Sequence, residues 1–188
     1  MKMKSMSYVP LAIASAFLLT LTGTAFAGVQ PQEAEFLKTA AQTDLAEIKM
    51  GQLAEQQGQH KAVRQFGKTL VTDHQKALKS TRSLAKSLGV MLPDQPNAAQ
   101  QQKYSEFAAM RGGNFDAAFL TAMIMGHEKA INDFKAQAQN GKNMQVKQLA
   151  QNELPVLQKH LHLAQQAQAK IGNGEKLSRN LPQSRQNQ

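Results

Sequence analysis

Three imidazoles and three carboxylates in this chain fall at spacings that aim them into helix interiors, where such a set can ligate a transition metal or bond helices together. They are Asp44, Glu47, His74, His127, Glu153 and His160. Projection at about 100° per residue places each inside an apolar arc. On the first helix that arc is Phe36, Leu37, Ala40, Ala41, Ile48 and Ala54, with Asp44, Glu47 and Gly51 at its centre. On the second, Val63, Phe66, Leu70, Val71, Ala77, Leu78, Thr81, Leu84 and Leu88 surround His74, and Asp73 sits at the edge. His127 lies among Phe119, Ala122, Met123, Ala130 and Phe134 on the third, while Glu128 points away. The fourth encloses Glu153 and His160 with Val146, Leu149, Ala150, Leu157, Leu161, Ala164 and Ile171; His162 faces outward and His60 falls in a turn.

Distances along the helices put these groups at similar heights. At about 1.5 Å per residue, Asp44 and His74 stand roughly 15 residues from the Gly58–His60 turn, and His127 about as far from Gly141. Glu47 and Glu153 lie a turn closer to their loops and His160 a turn farther, so all six can meet in one central volume. Burying an unpaired charge costs several kcal/mol. The six groups must therefore satisfy one another, hold a metal, or reach water. The plain alternative is a set of Asp/Glu–His bonds that fixes helix register. The sharper one is a site of mixed nitrogen and oxygen donors, which suits Fe, Mn or Zn, with zinc needing only four of the six. Copper is the weaker option, because Met123 and Met125 beside His127 read as core filling.

The elements that must carry these residues are helical throughout. From Gln32 onward the chain is rich in Ala, Leu, Gln, Lys and Glu and poor in β-branched and aromatic residues. Long helices are predicted at Glu33–Gln57, Lys61–Leu88, Phe115–Asn140 and Met144–Ile171, the third capped by Asn114. Gly58, Gly89 and Gly141 punctuate them, and Pro155 is expected to perturb the fourth. Between the second and third, Pro93, Asp94, Pro96 and Asn97 open a long connection with a short amphipathic helix near Ala98–Met110. Two hairpins joined by one long connection define an all-α, ferritin-like four-helix bundle. The segment GQHKAVRQF after the first helix also echoes GKNMQVKQL after the third.

Ahead of the helices, Lys2 and Lys4, an apolar run from Val9 to Leu21 and the ending Ala25-Phe26-Ala27 have the form of a cleavable secretory signal over residues 1–27. The bundle then spans 28–171, and 172–188 reads as a disordered tail rich in Gly, Asn, Gln and Ser. The protein is expected in the periplasm or secreted, with no transmembrane span after cleavage. Loss of Lys2 and Lys4 lowers the net charge from +9 to +7. That charge suits an anionic envelope component or a protein partner. Specific nucleic-acid binding is not expected, because the basic residues are scattered and lack interleaved aromatics. Cysteine is absent, which excludes disulfides, thiolate chemistry and Cys-ligated metals. No phosphate loop, nucleophile elbow or Ser/His/Asp set is present.

The segments EIKMGQLA, LVTDHQKAL, FDAAFLTAMIMGHEKAI and LPVLQKHLHLA, in that order, resemble an exported bacterial ferritin-like family catalogued as a domain of unknown function, whose members often carry a membrane or outer-membrane label. The resemblance covers about Ala34–Gln168. It implies a four-helix bundle and no established reaction. Better-known di-iron relatives carry Glu-x-x-His on two helices, whereas Val71 precedes His74 by three residues and Leu157 precedes His160 by three. A non-catalytic periplasmic bundle with a metal-binding or stress-related role is thus the first expectation. A reduced metal-dependent oxidase using His74, His127, His160 and Glu47 is the alternative from the enzyme class, and an envelope interaction protein without metal is the third.

Overall fold

The computed structural model describes residues 29–179, so the predicted signal and the last residues of the predicted tail lie outside it. Its elements are α1 (Pro31–Gln57), α2 (Lys61–Ser87), α3 (Ala98–Ala109), α4 (Gly113–Asn140) and α5 (Met144–Arg179). Among the described residues there is no strand. The four long helices and one short helix within the connection match the sequence expectation. None is long and apolar enough to cross a membrane.

Local chemistry sets the ends of these helices. Pro31 occupies the first turn of α1, where its missing N–H costs nothing, and the Gln30 N–H donates to Glu33 at 3.1 Å. Gly89, at φ +68°, takes the left-handed conformation that closes α2, and the Val90 N–H then donates back to Ala85 O at 2.8 Å. Asn97 and Gln100 cap α3 reciprocally, each side chain accepting the other's backbone N–H at 2.9 Å. The Asn143 carboxamide accepts from the Gln145 and Val146 N–H groups at the start of α5.

Two boundaries differ from the prediction. Gly112, at φ +65°, precedes the first residue of α4, and Asn114 lies inside the helix instead of capping it. A left-handed glycine allows the chain to turn into the helix earlier than a capping side chain would. α5 runs to Arg179 and not Ile171. Gly172 and Gly174 each cost a helix only about 1 kcal/mol, which the helix formers Glu175, Lys176, Leu177 and Arg179 can offset.

Packing joins α1 to α2 and α4 to α5 as hairpins, which meet chiefly along α2 and α5, with lighter contact of α1 with α4 and α3. Gly51 and Gly67 let α1 and α2 touch backbone to backbone. A Cβ at Gly51 would lie 2.7 Å from the Gly67 carbonyl oxygen, and one at Gly67 would lie 2.6 Å from that of Gly51. Two turns farther from the loop, the same crossing brings Asp44 opposite His74.

Acids at the hairpin mouths clasp the opposite loops. Asp116, in the first turn of α4, is fully buried and accepts the Gln59 and His60 N–H groups at 3.0 and 2.8 Å, as well as His60 Nδ1 at 2.7 Å. Glu33, in the first turn of α1, accepts the Lys142 and Asn143 N–H groups at 2.6 and 2.7 Å. Burial raises the Glu33 pKa, but the bonds from Asn143, Gln30, Lys142 and Gln137 outweigh it and hold the carboxyl below its ordinary value.

The apolar core divides into two clusters. One gathers Leu53, Phe66, Leu70, Phe107, Phe115, Phe119, Ala164 and Ile171 toward the α1–α2 loop, and the other gathers Leu37, Ala85, Val146 and Leu149 at the opposite end. Along α1, α2 and α5 the chemically active residues fall between these clusters, and on α4 His127 follows the first cluster directly. They form a polar layer sealed above and below by hydrocarbon.

Candidate metal centre

His74 on α2, His127 on α4 and His160 on α5 converge in that layer. One nitrogen of each imidazole lies within 4.8 Å of the other two, and the ring centroids are 5.2 to 6.1 Å apart. Their exposures are 4%, 2% and 0%, so no ring draws appreciably on solvent.

Each ring has its other nitrogen fixed by an acceptor outside the cluster. His74 Nδ1 lies 2.8 Å from Asp44 Oδ1, His127 Nδ1 2.8 Å from Met123 O, and His160 Nε2 3.0 Å from Asp73 Oδ2. A carbonyl or carboxylate oxygen can only accept here, so the proton of each neutral ring resides on the outer nitrogen. The inner nitrogens, His74 Nε2, His127 Nε2 and His160 Nδ1, are then bare lone pairs that face one another. His127 Nε2 and His160 Nδ1 are 3.3 Å apart with no proton to share. His74 Nε2 is buried with no hydrogen-bond partner, and so is Glu47 Oε2.

The carboxylates divide by role. Asp44 is 6% exposed and orients His74; burial raises its pKa, and Glu47 adds to the rise against the lowering influence of His74. Glu153 is half-buried, and desolvation together with the Asp44 charge raises it too. Asp73 is held below its ordinary value despite partial burial, because Lys159 Nζ at 2.8 Å and His160 both donate to it. All six predicted residues thus lie in one neighbourhood, although only the three histidines form the converging group. Asp73 is the participant the helical projection left at the edge.

Among the rings, burial opposes a charge on His74, but the Asp44 bond and the charges of Glu47, Asp44 and Glu153 prevail and raise its pKa. Burial and the neighbouring His74 charge push His160 down to about 4, with only partial compensation from Asp73. His127 is also lowered, chiefly by burial. Between about pH 4 and the unfolded-state value near 6.5, the unfolded chain therefore binds protons that His160 and His127 refuse in the fold, so stability rises with pH there and is lost on acidification. The raised acids Asp44 and Glu153 oppose this loss as they take up protons. The His160 contribution can be isolated with His160→Gln. Metal-free wild type should lose about 2 kcal/mol more than the variant in urea denaturation between pH 6.5 and 4.5. Parallel pH profiles would contradict the assigned shift.

Fold and site together define an all-helical protein with a buried cluster of three histidines able to accept a metal ion. Residues 20–167 match the model of the family described as Domain of unknown function (DUF4142), and the chain belongs to that family. Comparison with curated proteins and with solved structures gave no match.

Proposed function

We propose that this chain is an exported, non-catalytic ferritin-like four-helix bundle that holds a divalent transition-metal ion between His74, His127 and His160. The observation that carries this reading is the convergence of three imidazole lone pairs whose outer nitrogens are all held as donors. Such outer bonds orient the ring and raise the basicity of the inner nitrogen, which is what metal-ligating histidines require. A purely structural network would place donors opposite acceptors. Instead, His74 Nε2 and Glu47 Oε2 are left without partners inside the layer, an arrangement that costs free energy until a cation occupies the space between them.

The ferritin-like assignment is supported by the order of the elements, two hairpins separated by a connection carrying α3. Export to the periplasm or beyond is supported by the basic start, apolar run and Ala25-Phe26-Ala27 ending. The oxidase reading is disfavoured because the Glu-x-x-His pattern of di-iron sites is missing at His74 and His160.

The test is elemental analysis of untagged protein together with calorimetric titration of metal-stripped protein with zinc, iron(II) and manganese(II). About one equivalent of metal per chain, bound with proton release, is expected. No bound metal on purification and no heat with any of the three ions would remove the metal from this reading.

A further inference from the structure

The three histidines leave a tetrahedral ion one donor short, and the surrounding side chains differ in their freedom to supply it. Asp44 is committed, since its Oδ1 already accepts from His74 Nδ1. Asp73 accepts from both His160 and Lys159. Glu153 is half-buried and belongs to α5, which already provides His160. Glu47 alone among the carboxylates combines a buried oxygen without a hydrogen-bond partner and a place on α1 one turn from Asp44, on the face that meets His74. Its carboxylate stands outside the group of nitrogens that already converge, so an ion would have to draw it in by a side-chain rotation.

We propose that Glu47 is the fourth donor and completes a closed tetrahedral shell of three nitrogens and one oxygen, of the class that takes zinc. This rests on the three-histidine reading. Zinc–nitrogen bonds of about 2.0–2.1 Å in a tetrahedron require donors roughly 3.3–3.4 Å apart; His127 Nε2 and His160 Nδ1 stand 3.3 Å apart before any ion is considered. One carboxylate also halves the net charge of a divalent ion entering a layer with apolar clusters on both sides. With four protein donors no position is left for water, so the ion is retained and not used as a Lewis acid. Each of the four long helices then contributes to the shell or to its support, α1 through Glu47 and Asp44.

The test compares wild type with Glu47→Gln and Glu153→Gln, using zinc chloride in competition with a chromophoric chelator and cobalt(II) as a spectroscopic substitute. Glu47→Gln should bind zinc at least about tenfold more weakly and lose the intense visible bands of tetrahedral cobalt. Glu153→Gln should match wild type in both. X-ray absorption of the wild-type zinc protein gives a reading independent of variant folding, with four nitrogen or oxygen neighbours expected, three of them imidazole. A Glu47→Gln protein that binds as wild type does, a loss confined to Glu153→Gln, or five or six neighbours around zinc would each overturn the role of Glu47. Zinc bound with unaltered three-imidazole scattering would at the same time leave the histidine reading intact; wild type that takes up no zinc would sink the zinc shell, and wild type that takes up none of zinc, iron(II) and manganese(II) would sink both.

Discussion

Asp116→Ala is expected to lower the unfolding free energy by about 3–4 kcal/mol, since hydrogen bonds to charged groups contribute about 1.5–3 kcal/mol each and this carboxylate accepts two from the backbone. Asp116 is fully buried and accepts the Gln59 and His60 N–H groups just ahead of α2. Alanine leaves those donors to find water at a half-closed joint between the hairpins. It also removes a negative charge from the first turn of α4, where the helix dipole favours one. Urea denaturation of metal-free protein measures the loss, and His60→Ala in parallel separates the imidazole bond from the backbone bonds. A loss for Asp116→Ala below about 1 kcal/mol would mean that the loop is held mainly by packing.

His160→Ala should weaken zinc binding by more than about a hundredfold, because even partners of metal ligands are worth about 10–100-fold and this is a ligand itself. Asp73→Asn gives the graded comparison. It keeps the volume but replaces the carboxylate that fixes the His160 tautomer with a weaker acceptor, so it should fall within that 10–100-fold range. The two variants are read by the same chelator competition, with thermal melts of the metal-free proteins to confirm folding. If His160→Ala and wild type bound zinc alike, the ion would have to sit elsewhere and the convergent lone pairs would have another cause.

Much of this layer was legible in the sequence because helices translate spacing into direction. Six polar residues on apolar arcs, at comparable distances from two glycine-marked turns, could be expected to meet, and they share one neighbourhood. Spacing could not separate ligand from support. Asp44 and Glu47 look alike on a helical projection, and only the distance to His74 Nδ1 distinguishes the acceptor from the oxygen left without a partner. Asp73 was harder still, since its contact with His160 depends on which helices are neighbours, α2 with α5. A signal for Glu33 and Asp116 was present in the echo between GQHKAVRQF and GKNMQVKQL, because the same offset relates the two acids and the two loops they hold. The helical projection places both on the apolar arcs, Glu33 with Leu37, Ala40 and Asp44 and Asp116 with Leu120, Met123 and His127, but a first-turn acid also reads as a solvated complement to the helix dipole. Glycine boundaries misled at Gly172 for a different reason: a single glycine weakens a helix without obliging it to stop.

The reciprocal clasp bears on the order in which the chain assembles. Contacts within each hairpin join residues near one another in sequence and can form early, whereas Glu33 reaches across 109 positions to Lys142 and Asp116 across 57 to Gln59. Because closing the longer loops costs more chain entropy, these bonds are expected to form after the contacts within each hairpin. The three imidazoles are divided in the same way, His74 in one half and His127 and His160 in the other, so an ion arriving during refolding meets its complete set of donors only once the halves have closed on each other.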